Sequence, residues 1–154
     1  MYYAIVALLM FLLPAASVAA EVLVAGAPLA LMLVGKWYVF WAVGLRLFLA
    51  GVRQVLQPAY TAREILGLQG DESLTLVREL GFANLALGVL GLASLAEPAW
   101  RLGAALAGGI FYGLAGLNHV LQAHRNRLET VAMGSDLFAA LLLLSVCAGA
   151  WLAR

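Results

Sequence analysis

Residues 37–56 read WYVFWAVGLRLFLAGVRQVL. A membrane-crossing helix needs about 20 mostly apolar residues, and this run has that length, with Trp37 and Trp41 at one end and Arg53 and Gln54 at the other. Arg46 sits inside it, where a charge is costly and must find a partner. Working outward, comparable apolar runs occupy about 2–20, 77–95, 102–121 and 134–153, each bounded by charged, proline or aromatic residues. The expected fold is an all-α integral membrane protein: a four-helix transmembrane bundle over 37–154, preceded by an N-terminal transmembrane helix and connecting segment over 1–36.

Composition supports that solvent assignment. Of 154 residues 65% are hydrophobic and 11% charged, against roughly a quarter charged in soluble domains, and the mean hydropathy is +0.99. The length leaves no room for a separate soluble domain. A net charge of +1, with no basic run and no aromatics interleaved among basic residues, excludes nucleic acid as a partner. The single cysteine, Cys147, lies deep in the last run and reads as a packing residue, so neither an in-chain disulfide nor a CxxC pair is available. Ser17-Val18-Ala19-Ala20 before Glu21 imitates a signal cleavage site, yet no Lys or Arg precedes the apolar stretch, and the segment reads as a retained first span. Residues 22–34 are apolar but too short to cross alone; an interfacial or re-entrant piece, or an extension of either neighbour, all fit.

Five crossings place the N-terminus and the loops after spans two and four on one side, A, and the remaining loops and the C-terminus on side B. Arg53, Arg63, Arg78, Arg125 and Arg127 fall on side A; Lys36, Arg101 and Arg154 fall on side B. The positive-inside bias makes A cytoplasmic, in what is expected to be a bacterial inner membrane. Trp37, Trp41, Trp100 and Trp151 form an aromatic belt at the B end. In the longest polar connection, 57–75, the pattern from Tyr60 to Leu66 reads as a short surface helix or an ordinary loop.

Polar residues within the spans converge on the A end. Antiparallel threading brings Arg53, Glu79, Asn84, Asn118, His119 and Asp136 to one level, with Arg46 two helical turns, roughly 10 Å, deeper. Arg46, Ala50, Arg53 and Gln57 form one stripe at helical spacing. Gly81, Asn84, Gly88 and Gly91 form a small-residue stripe on the third span, and Ala105, Gly109 and Gly113 a second on the fourth, both permitting close helix approach. Glu79 is the expected partner of Arg46, ahead of Asp136, because sequential spans usually neighbour each other. Each polar residue also has a plainer reading: snorkelling for Arg53, an ion pair for Arg46, helix-start placement for Glu79 and Asp136, packing for His119. His119 and His124 are about 140° apart on a helix, so they present no metal-binding face, and no metal site is expected. Neither a phosphate loop nor a nucleophile elbow is present.

Residues 51–57, GVRQVLQ, align with residues 116–122, GLNHVLQ, each closing a span before an A-side loop. Two hairpins related by an axis along the membrane normal would produce such an echo. The stretch GVRQVLQP at 51–58 and the third-span pattern of Glu79, Asn84-Leu85-Ala86, and Gly88-Val89-Leu90-Gly91 resemble small bacterial DoxX-like membrane proteins, with His119 and Asp136 at the later histidine and aspartate places. The resemblance covers roughly 37–154. It implies a four-helix bundle and no single activity; the lone cysteine departs from relatives that use cysteine pairs.

Three functions fit these residues. One is an accessory subunit or lipid- or quinone-binding module, with other membrane subunits or a second copy as partner. Another is a small enzyme on a quinone or isoprenoid, with His119, Glu79 and Asp136 as catalytic candidates in acid–base chemistry. The last is an oligomeric ion or proton path. No cofactor is expected, with a bound lipid or quinone left open.

Overall fold

The computed structural model describes residues 2–153. Five helices account for most of them: α1 (Tyr2–Ala25), α2 (Leu31–Leu56), α3 (Glu72–Ala93), α4 (Arg101–Leu121) and α5 (Arg127–Leu152). No strand occurs among the described residues. All five helices are long and apolar enough to cross a membrane, so the chain is a polytopic membrane protein.

Helix ends differ from the apolar runs in two instructive places. Residues 22–25 end α1 and residues 31–34 begin α2, with 26–30 as the connection; α1 stops at Gly26, a C-cap whose φ of 66° suits glycine. The last helix begins at Arg127, well before the apolar run at 134, because Asn126 and Glu129 form a capping box: Glu129 N donates to Asn126 Oδ1 at 2.9 Å and Asn126 N to Glu129 Oε2 at 2.8 Å. Two stretches, Leu8–Leu12 in α1 and Val39–Arg46 in α2, are wound as π-helix, and they touch each other. Between α2 and α3, Tyr60–Ile65 forms a short π-helical piece that buries Thr61 and Ala62.

Packing divides the chain into two tight hairpins. In the first, α2 and α3 meet at Gly44–Leu92, Phe48–Gly88 and Gly51–Leu85; in the second, α4 and α5 meet at Gly109–Leu144, Gly113–Ala140 and Gly116–Leu137. On every one of the four helices these positions advance in steps of four and three. Backbones approach so closely that a methyl added at Gly88 would lie 2.5 Å from the Phe48 amide nitrogen, and one at Gly51 2.7 Å from that of Leu85. Without a hydrophobic drive between helices in lipid, such close van der Waals packing is what holds a hairpin together. Between the hairpins, α3 and α4 touch only lightly.

Helix α1 packs against α2 and α5 of the bundle. Val6, Leu9 and Met10 are buried there, and Phe11 packs on Phe138 at 4.9 Å between centroids. At the B end Glu21 accepts from Lys36 Nζ at 2.7 Å and from Trp37 Nε1 at 2.8 Å, while Trp41 Nε1 donates to Ser17 Oγ at 2.9 Å.

Candidate functional site

Arg46 is positioned by the α2–α3 seam. Gly44 is pressed against α3, and Arg46, two residues on and roughly half a turn round the helix, faces the opposite way, toward α1 and α5. Its depth is about 15 Å from the end of α2, ten residues on at 1.5 Å each. On α5, nine residues beyond Arg127, Asp136 lies about 14 Å in and meets it at the same level. Arg46 Nη2 donates to Asp136 Oδ1 at 2.9 Å and to Ser135 Oγ at 3.1 Å; Nη1 donates to Met10 Sδ at 3.2 Å. Below the guanidinium, 5.0 Å away, is the ring of Tyr112, whose hydroxyl donates to the Ala42 carbonyl inside the π-helical stretch. The expected pairing with Glu79 is thus corrected. Glu79 lies on the exposed face of α3, and the seam next to α2 is too close to admit a carboxylate reaching across it.

One turn pair nearer side A, Arg53 stacks on Tyr60, its guanidinium carbon 3.4 Å from the ring centroid. The residues beside it are Gln54 and Asn84, linked by Asn84 Nδ2 donating to Gln54 Oε1 at 2.7 Å. On α4, His119 is buried, with Nδ1 3.2 Å from Gln122 Oε1. Asn118 is exposed, outside this cluster.

These side chains enclose a cavity of about 240 Å³. Arg46, Arg53, Asn84, His119 and Asp136 line it, along with Tyr2, Gln54, Tyr60, Thr61 and Tyr112. Five of the seven residues expected to cluster are therefore brought together, while Glu79 and Asn118 are not. Its apolar walls include Val6, Leu47 and Phe111, and also Ile5, Leu49 and Leu80, which are exposed on the outer surface of the bundle.

The hairpins contribute matched pairs. Gln54 follows Gly51 by three residues, as His119 follows Gly116; Asn84 precedes Leu85, as Asp136 precedes Leu137. Gln54 with Asn84 in one hairpin thus corresponds to His119 with Asp136 in the other. Asp136 answers to Asn84, and Glu79, on the exposed face of α3, has no place in the correspondence. Gln54 is an unexpected member of the site, although it stands in the echo against His119. Ser135, Tyr2 and Tyr60 also belong to it, and no spacing in the sequence signals them.

Among the described residues no group of three or more His, Cys, Asp or Glu side chains gathers as metal ligands would. Arg125 in the basic turn has a structural use, since its Nη1 donates to the carbonyls of His119, Val120 and Gln122 at 2.6, 2.9 and 3.0 Å and closes the end of α4. Cys147 packs on α4, its Sγ 3.8 Å from the Leu102 carbonyl oxygen.

Compared with known families, residues 2–153 match one described as a family of unknown function, DUF6790. No curated protein and no solved structure matches. The resemblance to DoxX-like proteins is thereby corrected: the family that matches is a different one. Much of the pattern behind that resemblance, Gly81, Gly88 and Gly91 around Asn84, is what any helix needs to pack this closely on a glycine-bearing neighbour.

Proposed function

We propose, taking as premise that this chain belongs to the DUF6790 family of unknown function, that it is a membrane module that holds one amphiphilic molecule of the lipid or quinone class. The observation that carries this reading is the cavity of about 240 Å³ at the A end of the bundle, polar where Arg46, Arg53, Asn84 and His119 meet and apolar where Ile5, Leu49 and Leu80 reach the outer surface. A molecule residing in the bilayer can place its head among the first group and its chain along the second. Pockets for small ligands combine such apolar walls with a few convergent polar groups, although this volume accommodates a head rather than a whole lipid.

An acid–base enzyme is less well supported. His119 would need a carboxylate free to tune it, whereas Asp136 is engaged by Arg46 at 2.9 Å and Glu79 lies outside the cavity. Most of the chain is within the five helices, which favours an accessory subunit of a larger membrane complex over a free-standing catalyst. The bias of arginines toward side A favours a cytoplasmic position for the cavity in a bacterial inner membrane.

Purification in mild detergent followed by native mass spectrometry tests the reading. The expected spectrum shows one lipid or quinone per chain, with or without a stoichiometric partner subunit. A protein that stays empty and alone after extraction from its own membrane defeats it.

A further inference from the structure

We infer that the head group taken by this cavity is anionic, a phosphate or carboxylate on a lipid chain, and that Arg53 selects it; the inference rests on the binding role proposed above. The cavity lining holds two guanidiniums and one carboxylate. Asp136 is within 2.9 Å of Arg46 and neutralises it. Arg53 has no such partner: among the described residues neither an ion pair nor a hydrogen bond engages its guanidinium, and the carboxylate paired in the neighbouring loop, Asp71, goes to Arg63. What Arg53 does have is the Tyr60 ring at 3.4 Å. Stacking occupies the face of the guanidinium and fixes its plane, while the five N–H donors lie in that plane and stay available. A planar fork held in place beside a cavity suits bidentate recognition of a carboxylate or phosphate.

A second observation points to the same occupant. Asn84 is only 3% exposed, lines the cavity, and its Oδ1 has no hydrogen-bond partner. Buried polar atoms of this kind are rarely left unmatched. Because its Nδ2 is given to Gln54, the remaining requirement is for a donor, which a hydroxyl on the head group would supply. An anion accepting from Arg53 and a hydroxyl donating to Asn84 describe a hydroxylated anionic head such as that of phosphatidylglycerol. A neutral quinone accepts from Arg53 through a carbonyl but neither neutralises it nor donates to Asn84.

The test compares lipid retention by the whole protein in nanodiscs of three compositions: phosphatidylcholine with phosphatidylglycerol, with oleate, and with the neutral pair diacylglycerol and ubiquinone. Native mass spectrometry after release reads which molecule stays. The wild-type chain should keep one phosphatidylglycerol in preference to the neutral pair; preference for oleate instead would assign the anion to a carboxylate and still support the charge argument. Arg53→Gln should lower retention of the anionic lipid about tenfold, the scale of one charge-assisted hydrogen bond, and Arg53→Lys should recover part of it. Thermal unfolding of each variant separates loss of the site from loss of the fold. Equal retention of neutral and anionic molecules, insensitive to Arg53→Gln in a folded variant, overturns the anion inference and leaves the binding role standing. Retention of nothing by the wild-type chain overturns both.

Discussion

At the scale of single residues, Arg46 shows how a charge is tolerated about 15 Å from the end of a membrane helix. Its partners come from α1 and α5, and Asp136 supplies the only carboxylate among its contacts in the described residues. A buried pair adds little net stability compared with apolar residues of the same size, yet removing one member strands the other. Asp136→Leu is therefore expected to destabilise the protein by about 3–5 kcal/mol, and Arg46→Met combined with Asp136→Leu to restore most of that loss. Unfolding in detergent across the full double-mutant cycle measures the coupling; an additive cycle would show that the contact carries no energy. Glu79→Gln should change stability by no more than about 0.5 kcal/mol, as for other exposed positions. The sequence made Arg46 legible as a residue in need of a partner. It did not make Asp136 legible as that partner, for two physical reasons: the capping box at Asn126 starts α5 seven residues before its apolar run, which deepens Asp136, and Gly44 turns Arg46 away from α3.

At the scale of elements, five helices were legible because hydrocarbon thickness fixes their length, and their seams were legible because only small residues let two backbones come this close. The π-helical stretches were not. A π turn needs no particular residue, and Val39–Arg46 carries no proline, glycine pair or polar run that distinguishes it from the α-helix on either side. The seams themselves are open to test. At Gly88 a methyl would come 2.5 Å from the Phe48 backbone, which can yield only by parting α2 from α3, so Gly88→Ala is expected to destabilise by about 1–3 kcal/mol. Gly103, in α4, has nothing within 4 Å of the same methyl. There Gly→Ala should stabilise by roughly 0.5–1 kcal/mol through helix propensity alone. Opposite signs for two identical substitutions, read as shifts in thermal midpoint, would identify the α2–α3 seam as the cause; equal shifts would remove it.

At the scale of the whole molecule, the two hairpins repeat one contact pattern, and the cavity lies where their matched polar pairs, Gln54 with Asn84 and His119 with Asp136, are brought together. The helix outside this repeat is α1, the N-terminal transmembrane helix that precedes the four-helix bundle and bears no echo of the others. It is nonetheless packed against that bundle. Met10 is fully buried and receives a hydrogen bond from Arg46, Val6 is 3% exposed, and Tyr2, Ile5 and Val6 form one wall of the cavity. A chain truncated to begin at Gly26 would keep both hairpins and the Arg46–Asp136 pair but open that wall to lipid. Because helix association in a bilayer depends on packing and not on hydrophobic burial, the loss should appear as fewer van der Waals contacts around a charge pair now reached by acyl chains. The thermal midpoint is expected to fall by more than about 5 °C, where 1 kcal/mol corresponds to roughly 2–4 °C in chains of this size, and the retained amphiphile to be lost even though Arg53 is intact. Adding residues 1–25 back as a separate synthetic helix should recover both. If the truncated chain instead melts and binds as the whole protein does, α1 is an anchor alone, and the cavity is the property of the two hairpins.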